Sequence, residues 1–408
     1  MIKLFSKSKQ RQRPAVSLFK QTARTSVMRH PDSAHYFLPI DKKIAVITFV
    51  FICFGLVFTY SSSAFDSSSY FQRQLMFDFV GVAAAIFLSQ TYSKLQAKIK
   101  PIWLMYITWG FLIWVLFTKP IANVHRWINL GPFNLQPSEI AKVTLVIYMA
   151  DYLSRVQGKI ARNWKLLINP AVIIGITRAL MFKAPDLGTP ILICGVVAMM
   201  LYVAGMSWRQ IFSVAPVVLA IVAWQLIFYR YRMERVLSFL HPEKQAATAG
   251  YQLTQSFLAV GSGGWFGKGF GNSELKLQYL PAAHTDFIFS IMCEEIGLFG
   301  VGIIIFLFCC LLIRGVNLAR AAKNGFHSLM IFGLTLTICA QAFFNIAMAI
   351  GLLPTKGIPL PFFSYGGSSV IMTLAMIGII CNLSAESTAP KNRPTDDFAY
   401  YKNRKKYE

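Results

Sequence analysis

Long apolar runs, broken by short polar and frequently basic segments, recur from about residue 44 to residue 383. A hydrocarbon core about 30 Å thick takes roughly 20 such residues per helix. The pattern predicts spans at 44–62, 75–90, 101–118, 137–153, 168–182, 191–204, 211–229, 287–313 and 329–353, with a tenth ending near 383. Runs of that length favour a helical bundle over a barrel of short alternating strands. The expected fold class is therefore an all-α polytopic membrane protein of about ten transmembrane helices, with one long extracytoplasmic loop, 230–285, between spans 7 and 8. Residues 1–42 read as a basic cytoplasmic tail, 43–384 as the membrane domain and 385–408 as a second cytoplasmic tail.

Composition agrees. With 14% charged residues and a mean hydropathy of +0.51, a water-soluble fold would have to hide more apolar surface than its core could hold. The basic first stretch (KLFSKSKQRQRP) lacks a short apolar core followed by a small-residue cleavage site, so no cleavable signal is expected. Forty Lys and Arg against 17 Asp and Glu give a net charge of +23, which raises nucleic acid as a partner. The distribution argues against it, because the charge lies in both tails and in short loops, with no recognisable binding domain. Basic loops at 92–100, 155–165 and 314–324 fall on the side of both tails in a ten-span chain, which makes that side cytoplasmic. The long loop breaks the trend with Arg230, Arg232, Arg235, Lys244, Lys268 and Lys276. Two readings stay open there: an anionic ligand at the outer surface, or cations that flank the spans and pair with Glu234, Glu243 and Glu274. All seven cysteines sit in apolar stretches, implying neither a disulfide framework nor a zinc site.

Candidate chemistry concentrates between residues 250 and 300. GSGGWFGKGFG is rich in glycine but is no phosphate loop, since Lys268 is followed by Gly and no strand precedes the run. It is either an amide-rich loop lining a diphosphate or a tight re-entrant turn. Asp286 stands between a polar loop and the apolar run FIFSIMC, at headgroup level, where a carboxylate is costly unless it has work to do. It can cap the following helix or accept a proton from an attacking hydroxyl. Glu294 and Glu295, eight and nine residues on, suit interhelical hydrogen bonds. In LQPSEIAK, Pro137 can begin a helix with Glu139 in its first turn. Glu139 and Lys142 then share one face, either as a structural ion pair or as groups near a substrate. His125 and His284 have no partner at metal-ligand spacing and read as loop residues.

RWINLGPFNLQPSEIAK, PDLGT, GYQLTQSFLAVGSGGWFGKGFG, YLPAAHTDFIF with EEIG, and GLLPTKGIPLPFFSYGGSS occur in that order. Together they resemble the SEDS family, the polytopic enzymes of shape, elongation, division and sporulation that polymerise peptidoglycan glycan strands. The long N-terminal tail, YLPAAHTDFIF and the PTKG turn resemble the division branch most, with the elongation branch next. Ala184 stands where the family usually has Gln before PDLGT, Pro190 where Ala is common, and Arg178 intrudes on an apolar helix.

The resemblance implies that lipid II units are joined with inversion: the 4-hydroxyl of an acceptor GlcNAc attacks the anomeric carbon of a donor, and undecaprenyl diphosphate leaves. Asp286 matches the family's essential loop aspartate and is the implied general base. Glu139, Lys142 and Trp127 match positions implicated in activity. The leaving diphosphate needs cations, which makes Arg73, Arg126, Lys268 and Lys276 candidates, with His284 as a further substrate contact. A divalent cation, Mg or Mn, could share that work; no organic cofactor is expected. The implied partners are a class B penicillin-binding protein and other divisome proteins, and the implied place is the bacterial inner membrane at the septum. Two other classes compete: a lipid II transporter, which should carry internal repeats and polar residues through its depth, and an inactive scaffold for the transpeptidase.

Overall fold

The computed structural model describes residues 40–63, 68–118, 126–131, 134–181, 188–241, 250–274, 285–355 and 357–388. Nearly all of both expected tails, and with them Lys276, His284, His125 and Ala184, lie outside these. The described residues form helices α1 (Lys42–Ser63), α2 (Ser68–Lys98) and α3 (Pro101–Phe117), then a hairpin of β1 (Ile128–Asn129) and β2 (Asn134–Leu135). Helices α4 (Pro137–Val156), α5 (Ile168–Leu180), α6 (Gly188–Val203), α7 (Trp208–Phe228), α8 (Arg230–Leu240) and α9 (Tyr251–Ser262) follow. The chain closes with α10 (Ile288–Ala321), α11 (Gly325–Ala349) and α12 (Gly367–Thr388). A helix occupies each of the ten expected positions. Five, α1, α2, α10, α11 and α12, are by themselves long and apolar enough to cross a membrane; α3 and α6 are apolar but shorter.

Two expected loops are helical. The basic segment after span 2 belongs to α2 as far as Lys98, and RGVNLARA forms the last turns of α10. Hydropathy marks where lipid ends, whereas Leu, Ala, Gln, Lys and Arg continue a helix into water. The long loop likewise contains α8 and α9, which the apolar pattern did not separate from their surroundings.

Helix α11 is the hub, packing on α10, α4, α6, α12 and α9. Helices α2 and α12 form the most extensive pair. Small residues bring them together, since a side chain at Gly81 would meet Leu374 and one at Gly378 the backbone of Ala85. Asn382 donates to the Ser89 carbonyl at 2.9 Å, and its own carbonyl oxygen accepts from the Ser93 backbone N–H at 3.2 Å. Phe51, Phe308, Phe362 and Phe363 stack at the centre, with ring centroids 4.4 Å apart for Phe51–Phe308 and 5.1 Å for Phe51–Phe362. That cluster holds Phe362 at φ 71, a conformation costing on the order of 1–3 kcal/mol and retained only where surrounding packing imposes it. Away from these residues, Asp41 caps α1 through the Ile44 N–H and pairs with Arg314 of α10. Burial pushes its carboxyl upward, but the Arg314 contacts and two backbone N–H groups outweigh burial and hold it below the usual carboxylate range.

Helix α10 is broken at Gly297, where φ is 64 and ψ −173. The break frees backbone groups about 14 Å from the helix start at 1.5 Å per residue, and the loop after α9 takes them up. Lys268 and Gly269 donate their N–H groups to the carbonyls of Glu294 and Glu295 at 2.9 and 3.1 Å. Leu298 and Phe299 donate in return to Gly264 and Trp265 at 2.9 and 3.0 Å. The glycine run is thus a re-entrant turn sealed against a kink. Irregular backbone at that depth is tolerated only when its polar groups are satisfied in this way.

Candidate active site

Asp286 lies two residues before the first residue of α10. Phe287 is the N-cap residue by position and makes no side-chain cap hydrogen bond. The backbone around it is fixed from two sides. Asn345, in the last turns of α11, donates to the Asp286 carbonyl at 2.8 Å, and the Ser364 hydroxyl donates to the Thr285 carbonyl at 2.5 Å.

The second wall is the segment between α11 and α12, GLLPTKGIPLPFFSYGG. Pro354, Pro359 and Pro361 deny it a regular backbone ladder, so side chains from elsewhere satisfy its carbonyls. Arg235 of α8 donates to Thr355 at 3.1 Å and Arg126 to Gly357 at 2.9 Å. Asn345 donates to Ile358 at 2.7 Å and Gln341 to Pro359 at 2.9 Å. At Gly357 the walls meet, because a Cβ placed there would lie 3.0 Å from Arg126 Nη1 and 3.2 Å from Asp286 Oδ2. Guanidinium and carboxylate therefore converge on one point, which the missing side chain of Gly357 leaves open.

Trp127 lies beside Arg126, with the guanidinium carbon 5.5 Å from the ring centroid. Both precede the hairpin, in which Ile128 faces Leu135. Ser368 at the start of α12 pins the second strand, accepting from the Gln136 N–H at 3.0 Å and donating to the Asn134 carbonyl at 2.8 Å. Glu139 and Lys142, each 2% exposed, form an ion pair at 2.9 Å on α4. Lys142 also donates to Gln341 Oε1 at 2.5 Å, which links the pair through Gln341 to Pro359.

The other expected residues are placed differently. Arg73 is exposed on α2, one turn after Tyr70, whose ring meets that of Tyr365 at 5.0 Å. Lys268 lies in the re-entrant turn, bonded to Glu294 at 2.9 Å and Glu274 at 3.3 Å. The Glu294 hydrogen bond, followed by Glu274, raises its ammonium above the usual lysine range. Glu295 accepts from Ser61 of α1 at 2.5 Å, an interhelical bond of the expected kind. Among the described residues no group of three His, Cys, Asp or Glu side chains is placed to hold a metal ion. Gln341, Asn345, Gly357 and Ser364 were not singled out from sequence, although two amides four apart in ICAQAFFNIAMA must share one face.

The arrangement combines a backbone-anchored carboxylate, a guanidinium beside it and a neutralised ion pair behind the opposing wall. Such a set can accept a proton and meet an anion. The family model described as Cell cycle protein, covering FtsW, RodA and SpoVE, matches residues 42–389. The chain belongs to this family. A relative from Legionella pneumophila, a probable peptidoglycan glycosyltransferase FtsW, is 36% identical over 361 residues, 85% of this chain and 91% of that protein. One of the same description from Geobacter sp. strain M18 is 35% identical, covering 84% and 96%. Among solved structures, a chain of a peptidoglycan synthase complex superposes with a TM-score of 0.74 at 26% identity, covering 86% of this chain and all of that one. The rod shape determining protein RodA of Thermus thermophilus gives 0.65 at 26% identity, covering 87% and 99%. The family match and the apolar helices make the chain a multi-pass membrane protein.

Proposed function

We propose that this chain is a peptidoglycan glycosyltransferase that polymerises lipid II for the septal wall, with Asp286 as general base. The observation that carries the reading is the convergence of the Asp286 carboxylate and the Arg126 guanidinium on Gly357. The Asp286 carboxylate takes the proton of the acceptor's 4-hydroxyl as that oxygen bonds to the donor's anomeric carbon. The bond from that carbon to the diphosphate oxygen breaks on the opposite face, and its electron pair leaves with undecaprenyl diphosphate, which inverts the centre. Arg126 is placed to meet the charge that develops there; Arg73, Lys276 and His284 remain candidate contacts, while Lys268 acts in the re-entrant turn. Mg or Mn, where used, would take substrate phosphates as main ligands, as Mg commonly does, and no step is assigned to it.

The septal assignment rests on the relatives' description as FtsW, with an elongation role as the alternative. A class B penicillin-binding protein is the proposed partner, by analogy with the synthase complex that the fold resembles. The bacterial inner membrane, with both termini cytoplasmic, is the proposed location. The test uses purified wild-type chain and Asp286→Asn, each with the transpeptidase, on labelled lipid II. Loss of a general base costs about 10²–10⁴-fold in rate, so the amide variant should stay folded and yield no glycan strands. Equal product from both removes Asp286 from the mechanism. No polymer from the wild type, with lipid II translocation in vesicles, would favour the transporter.

A further inference from the structure

Beside the Ser364 bond to Thr285, one side chain bonds both the backbone of Asp286 and the wall opposite. Asn345 is fully buried, and its Nδ2 donates to two carbonyls in different segments, Asp286 at 2.8 Å and Ile358 at 2.7 Å. A primary amide has two N–H donors, and both are used. Its Oδ1 is buried and has no partner among the described residues. The side chain's polar contacts therefore run through its donors alone, which also fixes the orientation, since a flipped amide would turn its oxygen on two carbonyls. One turn earlier Gln341, 1% exposed, repeats the pattern by donating to Pro359 at 2.9 Å and accepting from Lys142 at 2.5 Å. Two amides on one face of α11 thus grip consecutive carbonyls, and only the second also grips the residue that bears the carboxylate.

We infer that Asn345 is a positioning residue for the transfer: by stapling the Asp286 backbone to the Ile358 carbonyl it sets where the carboxylate stands relative to Gly357 and Arg126. The inference rests on the general-base reading of Asp286. It gives Asn345 no contact with substrate, and it makes the Glu139–Lys142–Gln341 chain a support of the same wall. A displaced base should slow the chemical step while leaving lipid II binding intact. Misplacement of a reacting group by about 1 Å costs about 10²-fold in rate.

The test compares full-length wild type, Asn345→Asp, Asn345→Leu and Asp286→Asn, each with the transpeptidase, by kcat and KM on lipid II, with thermal unfolding and size-exclusion profiles as folding controls. Asn345→Asp keeps shape and Oδ1 but removes both donors; Asn345→Leu removes them without adding charge. Both are expected to lose kcat by about 10²-fold with KM within about threefold of wild type. Should either fail to fold, Asn345→Ser, whose hydroxyl reaches at most one of the two carbonyls, is read in the same way, with an intermediate loss of kcat expected. Wild-type kcat in the folded variants overturns the inference, as does a loss of kcat that only tracks loss of folded protein, or one accompanied by an equal rise in KM. Full activity in Asp286→Asn would instead overturn the general-base reading itself.

Discussion

Gly357 has no functional group, yet it decides how closely base and guanidinium stand. The atoms a Cβ would meet there are the ends of Arg126 and Asp286, at 3.0 and 3.2 Å, so an alanine would displace side chains by a few tenths of an ångström rather than push on backbone. Gly357→Ala is expected to leave stability in thermal unfolding within about 0.5 kcal/mol of wild type, the range of surface-like changes. It should lower kcat on lipid II by about tenfold, a fraction of the penalty for a full ångström of misplacement. Unchanged kcat would mean that the convergence is not used in the chemistry. At this scale, charge is what makes a residue legible in sequence. Asp286, Glu139 and Lys142 stand out because each interrupts an apolar run, while Gln341 and Asn345 do equal structural work as neutral amides inside a helix that reads as uniformly apolar. Gly357 is hidden for the opposite reason, being one of several glycines in a turn whose composition calls for them.

Helix α10, which follows Asp286, carries a break that the turn after α9 is bonded across. Gly297 occupies a backbone region open essentially to glycine, and a Cβ there would come within 2.6 Å of the Phe266 nitrogen and 2.7 Å of its carbonyl carbon. Gly297→Ala therefore combines strain with a clash against backbone that cannot step aside. It should destabilise the folded chain by about 3 kcal/mol or more, read as a fall in thermal unfolding temperature in detergent. Gly302, five residues on in the same helix with nothing within 4 Å of its Cβ position, is the control. Gly302→Ala should be neutral or stabilising by about 0.5–1 kcal/mol. Equal behaviour of the two variants would show that the kink does not hold the re-entrant turn. The ten main helices were legible because lipid demands long apolar runs. The turn was legible only as one of two alternatives, since amides bonded to a broken helix and amides awaiting a diphosphate require the same glycines.

For the whole molecule, the distribution of cations separates the two ends of the bundle. Helix α10 starts beside Asp286 and carries Arg314 and Arg320 near its other end, with Lys323 just beyond; α4 starts near Glu139 and finishes with Arg155. Helix α2 ends at Lys98, and Lys159, Arg162 and Lys165 join α4 to α5. All of these gather at the end opposite the site. At the site end Arg126 and Arg235 bond loop carbonyls, Lys268 bonds Glu294 and Arg73 is exposed on α2. On the positive-inside rule this basic far end is the proposed cytoplasmic end, and the proposed topology puts Asp286 on the extracytoplasmic side, where a wall precursor would be consumed. Two single cysteines test this against the otherwise unaltered chain: Leu130→Cys, in the exposed hairpin turn, and Lys159→Cys, in the exposed α4–α5 connection. In spheroplasts an impermeant thiol reagent should label Leu130→Cys at once and Lys159→Cys only after permeabilisation, with the parent chain as background. The reverse pattern would invert the bundle and leave the proposed base facing the cytoplasm, where an enzyme of the septal wall has no glycan strand to extend.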